Sequence, residues 1–184
     1  MLRQAYKVKR IAEYVMVAGR ASISPERLVR FAIRFKLPLG ELIEALEVAS
    51  DDRGYERAHI RALHELYPWV PEGYLLALLE HLPEVREFLP AWELVEWRPC
   101  VLGGELCVKG TRCPVLKVYE EWDDTHDLKH VAEECDLKAD VVEQLIRYRK
   151  VVEPVAKELE ELHERHLWAE RAAEGERGSR GVMA

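Results

Sequence analysis

Apolar side chains recur at three- and four-residue steps along most of this chain. Proline, glycine or a short polar run cuts each stretch from the next, a pattern that predicts successive amphipathic helices. A first helix is expected over residues 2–18, with Leu2, Ala5, Tyr6, Ile11, Tyr14, Val15 and Ala18 on its apolar side and Gly19 as its stop. Ser24 and Pro25 form an N-cap and first helical position, followed by a stripe of Leu28, Phe31, Ala32 and Phe35. Leu37-Pro38 ends that helix, because the residue before proline is pushed out of the helical region. Leu39 or Gly40 opens the next, with Leu42, Ile43 and Leu46 inside. A further helix is expected over 51–67, capped by Asp51 or Asp52, and another over 72–82. Pro83 and Pro90 then mark a boundary.

Beyond that boundary the period changes. ELVEW at 93–97 alternates like a strand, LCV at 106–108 is its expected partner, and Gly103-Gly104 offers the positive backbone angles of a hairpin turn. Pro114 opens a helix through Leu116, Val118, Tyr119 and Trp122, with Thr111 as a candidate cap. Asp127 caps a helix with Leu128, Val131, Ala132 and Cys135, and a third is expected over 139–152. After Pro154 the spacing of Val155, Leu159, Leu162 and His166, widened by Leu167, predicts an amphipathic helix over 155–169.

Charge refines this picture. The 184 residues carry a formal net charge of −7, which does not steer the whole chain towards nucleic acid. Residues 1–36, however, hold nine basic side chains against two acidic. Arg27, Arg30 and Arg34 lie three and four apart and share a helix face, readable as a nucleic-acid surface, a partner contact or a plain solvated face. No run of 18 apolar residues suggests a membrane span, and a cytoplasmic protein is expected.

Candidate chemistry is sparse. Cys100, Cys107, Cys113 and Cys135 lack the close pairs of a structural zinc site, so no metal and no cofactor are expected. Small thiols packing the core are the simpler reading. No nucleophile elbow, phosphate loop, dinucleotide fingerprint or HExxH occurs, and no catalytic residue is assigned; Glu56, His59 and His64 have no spacing that demands acid–base work. The chain is read as not an enzyme.

One stretch is more specific. Gly103, Gly104, Val108, Lys109-Gly110-Thr111-Arg112, Cys113 and Pro114-Val115, followed by short helices, resemble a prokaryotic family catalogued as domain of unknown function number 433, often grouped with VapB-type antitoxins. The resemblance covers roughly residues 93–150. Cys107 stands where the family has proline, Cys113 where it has an aliphatic residue, and DDTHD at 123–127 where a glycine-containing turn is usual.

The resemblance implies a helix-turn-helix module, homeodomain-like or winged-helix-like, that binds DNA and pairs with a small toxin, often a PIN-like ribonuclease. The expected fold is therefore mainly α. It comprises an N-terminal helical bundle over 1–90, a three-helix module with a short β-hairpin over 91–152, an amphipathic C-terminal helix over 153–172 and a disordered tail over 173–184. The expected function is an antitoxin-like, DNA-binding regulatory protein that forms a homodimer. The alternative is a helical protein-interaction or assembly module with no DNA affinity.

Nucleic-acid contacts would fall to Lys109, Arg112, Lys138, Gln144, Arg147 and Lys150, with Arg27, Arg30 and Arg34. Gly103, Gly104, Gly110, Thr111 and Pro114 shape the motif, and Leu159, Leu162 and Leu167 would meet a protein partner. The helix over 139–150 is the natural recognition helix, but Asp140 and Glu143 near its start are poor neighbours for phosphate.

Overall fold

A computed structural model of the protein describes residues 23–51, 56–97 and 104–163. The expected helix over 2–18, Cys100, Gly103, Leu167 and the tail over 173–184 lie outside the described residues. The chain divides into two units, Met1–Leu94 and Val95–Ala184.

In the first unit, α1 (Pro25–Phe35) starts where proline costs least. Pro25 occupies the first turn, where its missing N–H would have had no partner. The Ser24 carbonyl, not its hydroxyl, receives the first amides, from Arg27 at 2.9 Å and Leu28 at 3.2 Å. The helix ends at Lys36, whose φ of 53° is left-handed. Lys36 N–H then donates to Ile33 and Leu37 N–H to Ala32, the paired bonds of a Schellman stop. The reversal drops Leu37 into the core and leads into α2 (Leu39–Asp51), where Leu39, Leu42, Ile43 and Leu46 are buried.

α3 (Glu56–Leu66) and α4 (Glu72–Glu80) pack on α2 and on each other. α5 (Leu82–Glu87) and α6 (Leu89–Glu93) close the unit over α1 and α2. The Phe31 ring lies 4.9 Å from that of Tyr74, whose buried hydroxyl donates to the Leu28 carbonyl at 2.9 Å.

Two sequence expectations change here. Asp51 ends α2 rather than capping the next helix. Pro83 and Pro90 do not simply interrupt the chain; each sits in the first turn of a short helix, where a residue without an N–H loses nothing.

The second unit opens on β1 (Val95–Trp97), paired antiparallel with β2 (Leu106–Val108) in the register Val95 to Val108, Glu96 to Cys107 and Trp97 to Leu106. Residues 98–105 join the strands, and of the glycine pair expected to take positive backbone angles, Gly104 does so. Gly104, at φ 87°, ends the connection, and its carbonyl accepts the Trp97 indole N–H at 2.6 Å. The expected strand over 93–97 is shorter at its start because α6 holds Glu93.

α7 (Val115–Thr125), α8 (Leu128–Glu134) and α9 (Ala139–Arg147) follow and pack on one another through Val115, Val118, Tyr119, Val131, Val142 and Leu145. The helix expected over 139–152 breaks at Tyr148 instead. A separate helical run, α10, then occupies residues 149–163 and passes through Pro154, buried along Val151, Val152, Val155, Ala156 and Leu159. Pro154 cannot donate to the carbonyl four residues back. The run is held nonetheless by an acidic and basic ladder at four-residue steps, Arg149 to Glu153 at 2.7 Å and Lys157 to Glu153 at 2.8 Å. Among the described residues the protein is mainly helical, with one short hairpin.

Candidate functional site around the hairpin-to-helix junction

The chain leaves β2 through Lys109 and Gly110, both exposed, into Thr111, Arg112 and Cys113. Gly110 has a φ of 77°, a left-handed angle that glycine takes without steric cost. Its amide donates to the Glu96 carboxylate at 2.8 Å. A phosphate seeking that amide would have to displace a carboxylate already seated on it. Thr111 Oγ1 donates to the Val108 carbonyl at 2.9 Å and accepts from the Cys113 amide at 3.1 Å, while the Val108 amide donates to the Cys113 carbonyl at 2.9 Å. Thr111 therefore ties the turn rather than capping α7, whose N-cap position is Pro114. The junction is a self-satisfied backbone knot with Lys109 and Arg112 exposed beside it.

The step from α8 to α9 repeats the stop seen after α1. Asp136 has a φ of 52°, its amide donates to Glu133 at 3.3 Å, and Leu137 N–H donates to Ala132 at 2.9 Å. The cap of α8 is as expected: Asp127 Oδ1 accepts from the amides of Lys129 at 2.9 Å and His130 at 3.3 Å. Beyond the turn, Val142 and Leu145 point inward, and Asp140, Glu143, Gln144 and Arg147 are all exposed. Lys138 before the helix and Lys150 after it are exposed as well. The first two turns of this outer face thus carry two carboxylates, and its cations gather at the ends.

Arg149 has a different role from its neighbours Arg147 and Lys150. Its guanidinium grips Asp123 through two bonds, 2.5 and 2.7 Å, reaches Glu153 at 2.7 Å, and lies 4.9 Å from the centre of the Tyr119 ring. These bonds hold the Asp123 and Glu153 carboxyls below the usual carboxylate range. Sequence reasoning passed over this residue. The signal was present in the four-residue steps Arg149, Glu153 and Lys157 across an apparent helix break.

In the first unit, Arg27 is exposed while Arg30 and Arg34 are half-buried, with Arg34 5.3 Å from the Phe35 ring centre. Arg27 thus stands further into solvent than Arg30 and Arg34. Of the candidate partner contacts, Leu159 is 3 % exposed and Leu162 is half-buried. Cys107 and Cys135 are buried and Cys113 is half-buried, and among the described residues no group of three histidine, cysteine or carboxylate side chains is arranged to hold a metal ion. No helix among the described residues is long and apolar enough to cross a membrane.

Fold and surface together define a mainly helical protein whose second unit places three short helices behind a hairpin. Residues 95–148 match the family model described as Protein of unknown function (DUF433), which spans the hairpin, the junction and α7 to α9. No curated protein and no solved structure matches the chain.

Proposed function

We propose that this chain is a helical protein-interaction module that works through protein contacts and has no useful affinity for DNA. The observation that carries this reading is the exposed face of α9. A helix that reads a major groove leads with its N-terminal residues, and here those residues are Asp140 and Glu143, both exposed. Their charges oppose the phosphates that supply most of the affinity in nucleic-acid binding. The first unit also leaves large apolar side chains exposed. Leu66 is 70 % exposed, Val48 67 %, Leu76 47 % and Trp69 41 %, on α2, α3, α4 and the turn after α3.

A second reading is favoured by the α8-turn-α9 geometry and by the exposed Lys109, Arg112, Lys138, Arg147 and Lys150. In it the chain is an antitoxin-like, DNA-binding regulator that dimerises and holds a PIN-like toxin. One experiment separates the two. The full chain is titrated into a labelled duplex from upstream of its own gene at low and moderate salt, beside R112A and R147A variants. The first reading expects no shift at low salt for any of the three. A shift that weakens steeply with salt and is lost in the variants would replace it with the second.

A further inference from the structure

Apart from the junction and the outer face of α9, the second unit holds a recess where β2, α7 and α10 meet, with a volume of about 140 Å³. Its walls are apolar: Leu106 from β2, Pro114 and Leu116 at the entry of α7, and Ala156 from α10. Leu106 and Ala156 are buried, Pro114 and Leu116 half-buried. The backbone bridge between Cys107 and Pro114 lays the start of α7 beside β2 and so sets two of these walls together.

Carboxylates complete the lining. Glu105, Glu120 and Glu160 all border the recess. Glu120 and Glu160 are exposed, each four residues beyond a wall residue, Leu116 and Ala156, so acid and wall share one helix face. Among the described residues none of the three acids is held in an ion pair. The nearby cations are engaged elsewhere. Lys157 binds Glu153 at 2.8 Å, and Lys117, which also lines the recess, donates to the Glu134 carbonyl at 3.5 Å. Three carboxylates against one ammonium leave the recess negative.

We propose that this recess is a docking pocket for an arginine side chain of a partner protein. The proposal rests on the protein-interaction reading above and gives that reading a partner chemistry. Size decides the class of occupant. Pockets for cofactors and metabolite-sized ligands run to about 300–1,000 Å³, whereas about 140 Å³ takes a single side chain. Polarity then decides which side chain. A long basic residue lays its methylene stem along apolar surface and keeps its charged head at the edge, and here apolar walls are bordered by carboxylates. A guanidinium suits the site better than an ammonium, because it is more weakly hydrated and its forked N–H donors can serve more than one carboxylate. Arginine is also among the residues that anchor protein interfaces by filling such pockets.

The test follows the amide spectrum of the isotope-labelled full chain by NMR as Nα-acetyl-arginine amide is added. The citrulline analogue, similar in shape but uncharged, is titrated beside it. With the arginine analogue the amides of Leu106, Leu116 and Ala156 are expected to shift and to saturate with a Kd on the order of 1 mM, the range open to so small a ligand. The citrulline analogue leaves them in place. E120Q and E160Q, both changes at exposed side chains, each weaken binding about two- to fivefold, and K117Q strengthens it about twofold. No saturating shift, equal shifts with citrulline, or shifts gathered elsewhere on the chain would overturn the proposal. So would E120Q and K117Q moving the affinity in the same direction. The outcome is separate from that of the duplex titration: a DNA shift there overturns the wider reading, and an unmoved recess here overturns the arginine pocket alone.

Discussion

Arg149 and Asp123 meet through two parallel hydrogen bonds, 2.5 and 2.7 Å, joining α10 to the last turns of α7. The same guanidinium binds Glu153 and covers the Tyr119 ring, so one side chain satisfies two carboxylates and shields an aromatic face. Arg149→Ala removes the cation that Asp123 and Glu153 share, leaving Lys157 on Glu153. It is expected to destabilise the protein by about 1–2 kcal/mol, read as a lower urea midpoint. Arg149→Lys recovers only part of the loss, since an ammonium cannot match a bidentate carboxylate and a second acid at once.

This cluster also sets a pH dependence. Hydrogen bonds from Arg149 lower the folded-state pKa of Asp123 and of Glu153, and Lys157 adds to the effect at Glu153. A depressed carboxylate stabilises the fold fully above its unfolded-state pKa and loses that contribution as pH falls through the folded value. The gap in urea midpoint between wild type and R149A is therefore expected to stay constant from neutral pH down to about 5 and to narrow below about 4. A gap unchanged at pH 3 would remove the cluster as its cause.

Glycine substitutions should split according to backbone angle. Gly110 has a φ of 77° and nothing within 4 Å of an added Cβ, so Gly110→Ala meets only backbone strain, about 1 kcal/mol. Gly40 lies in the first turn of α2, and an added Cβ would make an ordinary 3.9 Å contact with Trp92. Gly40→Ala is expected to be stabilising by up to about 1 kcal/mol, because alanine has less backbone freedom to lose. Thermal midpoints moving in opposite directions would check both.

The two Schellman stops offer the converse test. Lys36 and Asp136 hold left-handed angles of 53° and 52°, where a Cβ crowds the following carbonyl. Lys36→Gly and Asp136→Gly are each expected to raise stability by about 0.5–1 kcal/mol, since neither side chain is buried. Equilibrium unfolding of each variant measures the gain.

These stops also show how far the sequence could be read. Helix starts were legible wherever a residue type has a local reason to be there: Pro25 at a first turn, Asp127 as a cap. The apolar stripes located Leu28, Phe31 and Ala32, and Val131 and Ala132, in buried positions. The end of α1 was legible from Leu37-Pro38, but the left-handed positions themselves were not, because a lysine and an aspartate rather than glycine occupy them. Proline misled at 154, where tertiary burial of Val151, Val155 and Leu159 carries a helix through it.

Two buried tyrosines give the last prediction. Tyr74 donates to the Leu28 carbonyl at 2.9 Å and Tyr119 to the Leu145 carbonyl at 3.2 Å, and burial raises both phenol pKa values. Each phenylalanine variant keeps the ring packing and removes one donor from a buried helix carbonyl. That carbonyl already accepts within its helix in the first case, at α1, whereas Leu145 lies in the last turn of α9, where carbonyls lack intrahelical donors. Tyr119→Phe is therefore expected to cost more than Tyr74→Phe, about 1–2 kcal/mol against about 0.5–1 kcal/mol. Urea unfolding of the two variants side by side decides the order, and a larger loss for Tyr74→Phe would show that the shorter bond, not the missing helical donor, governs the cost.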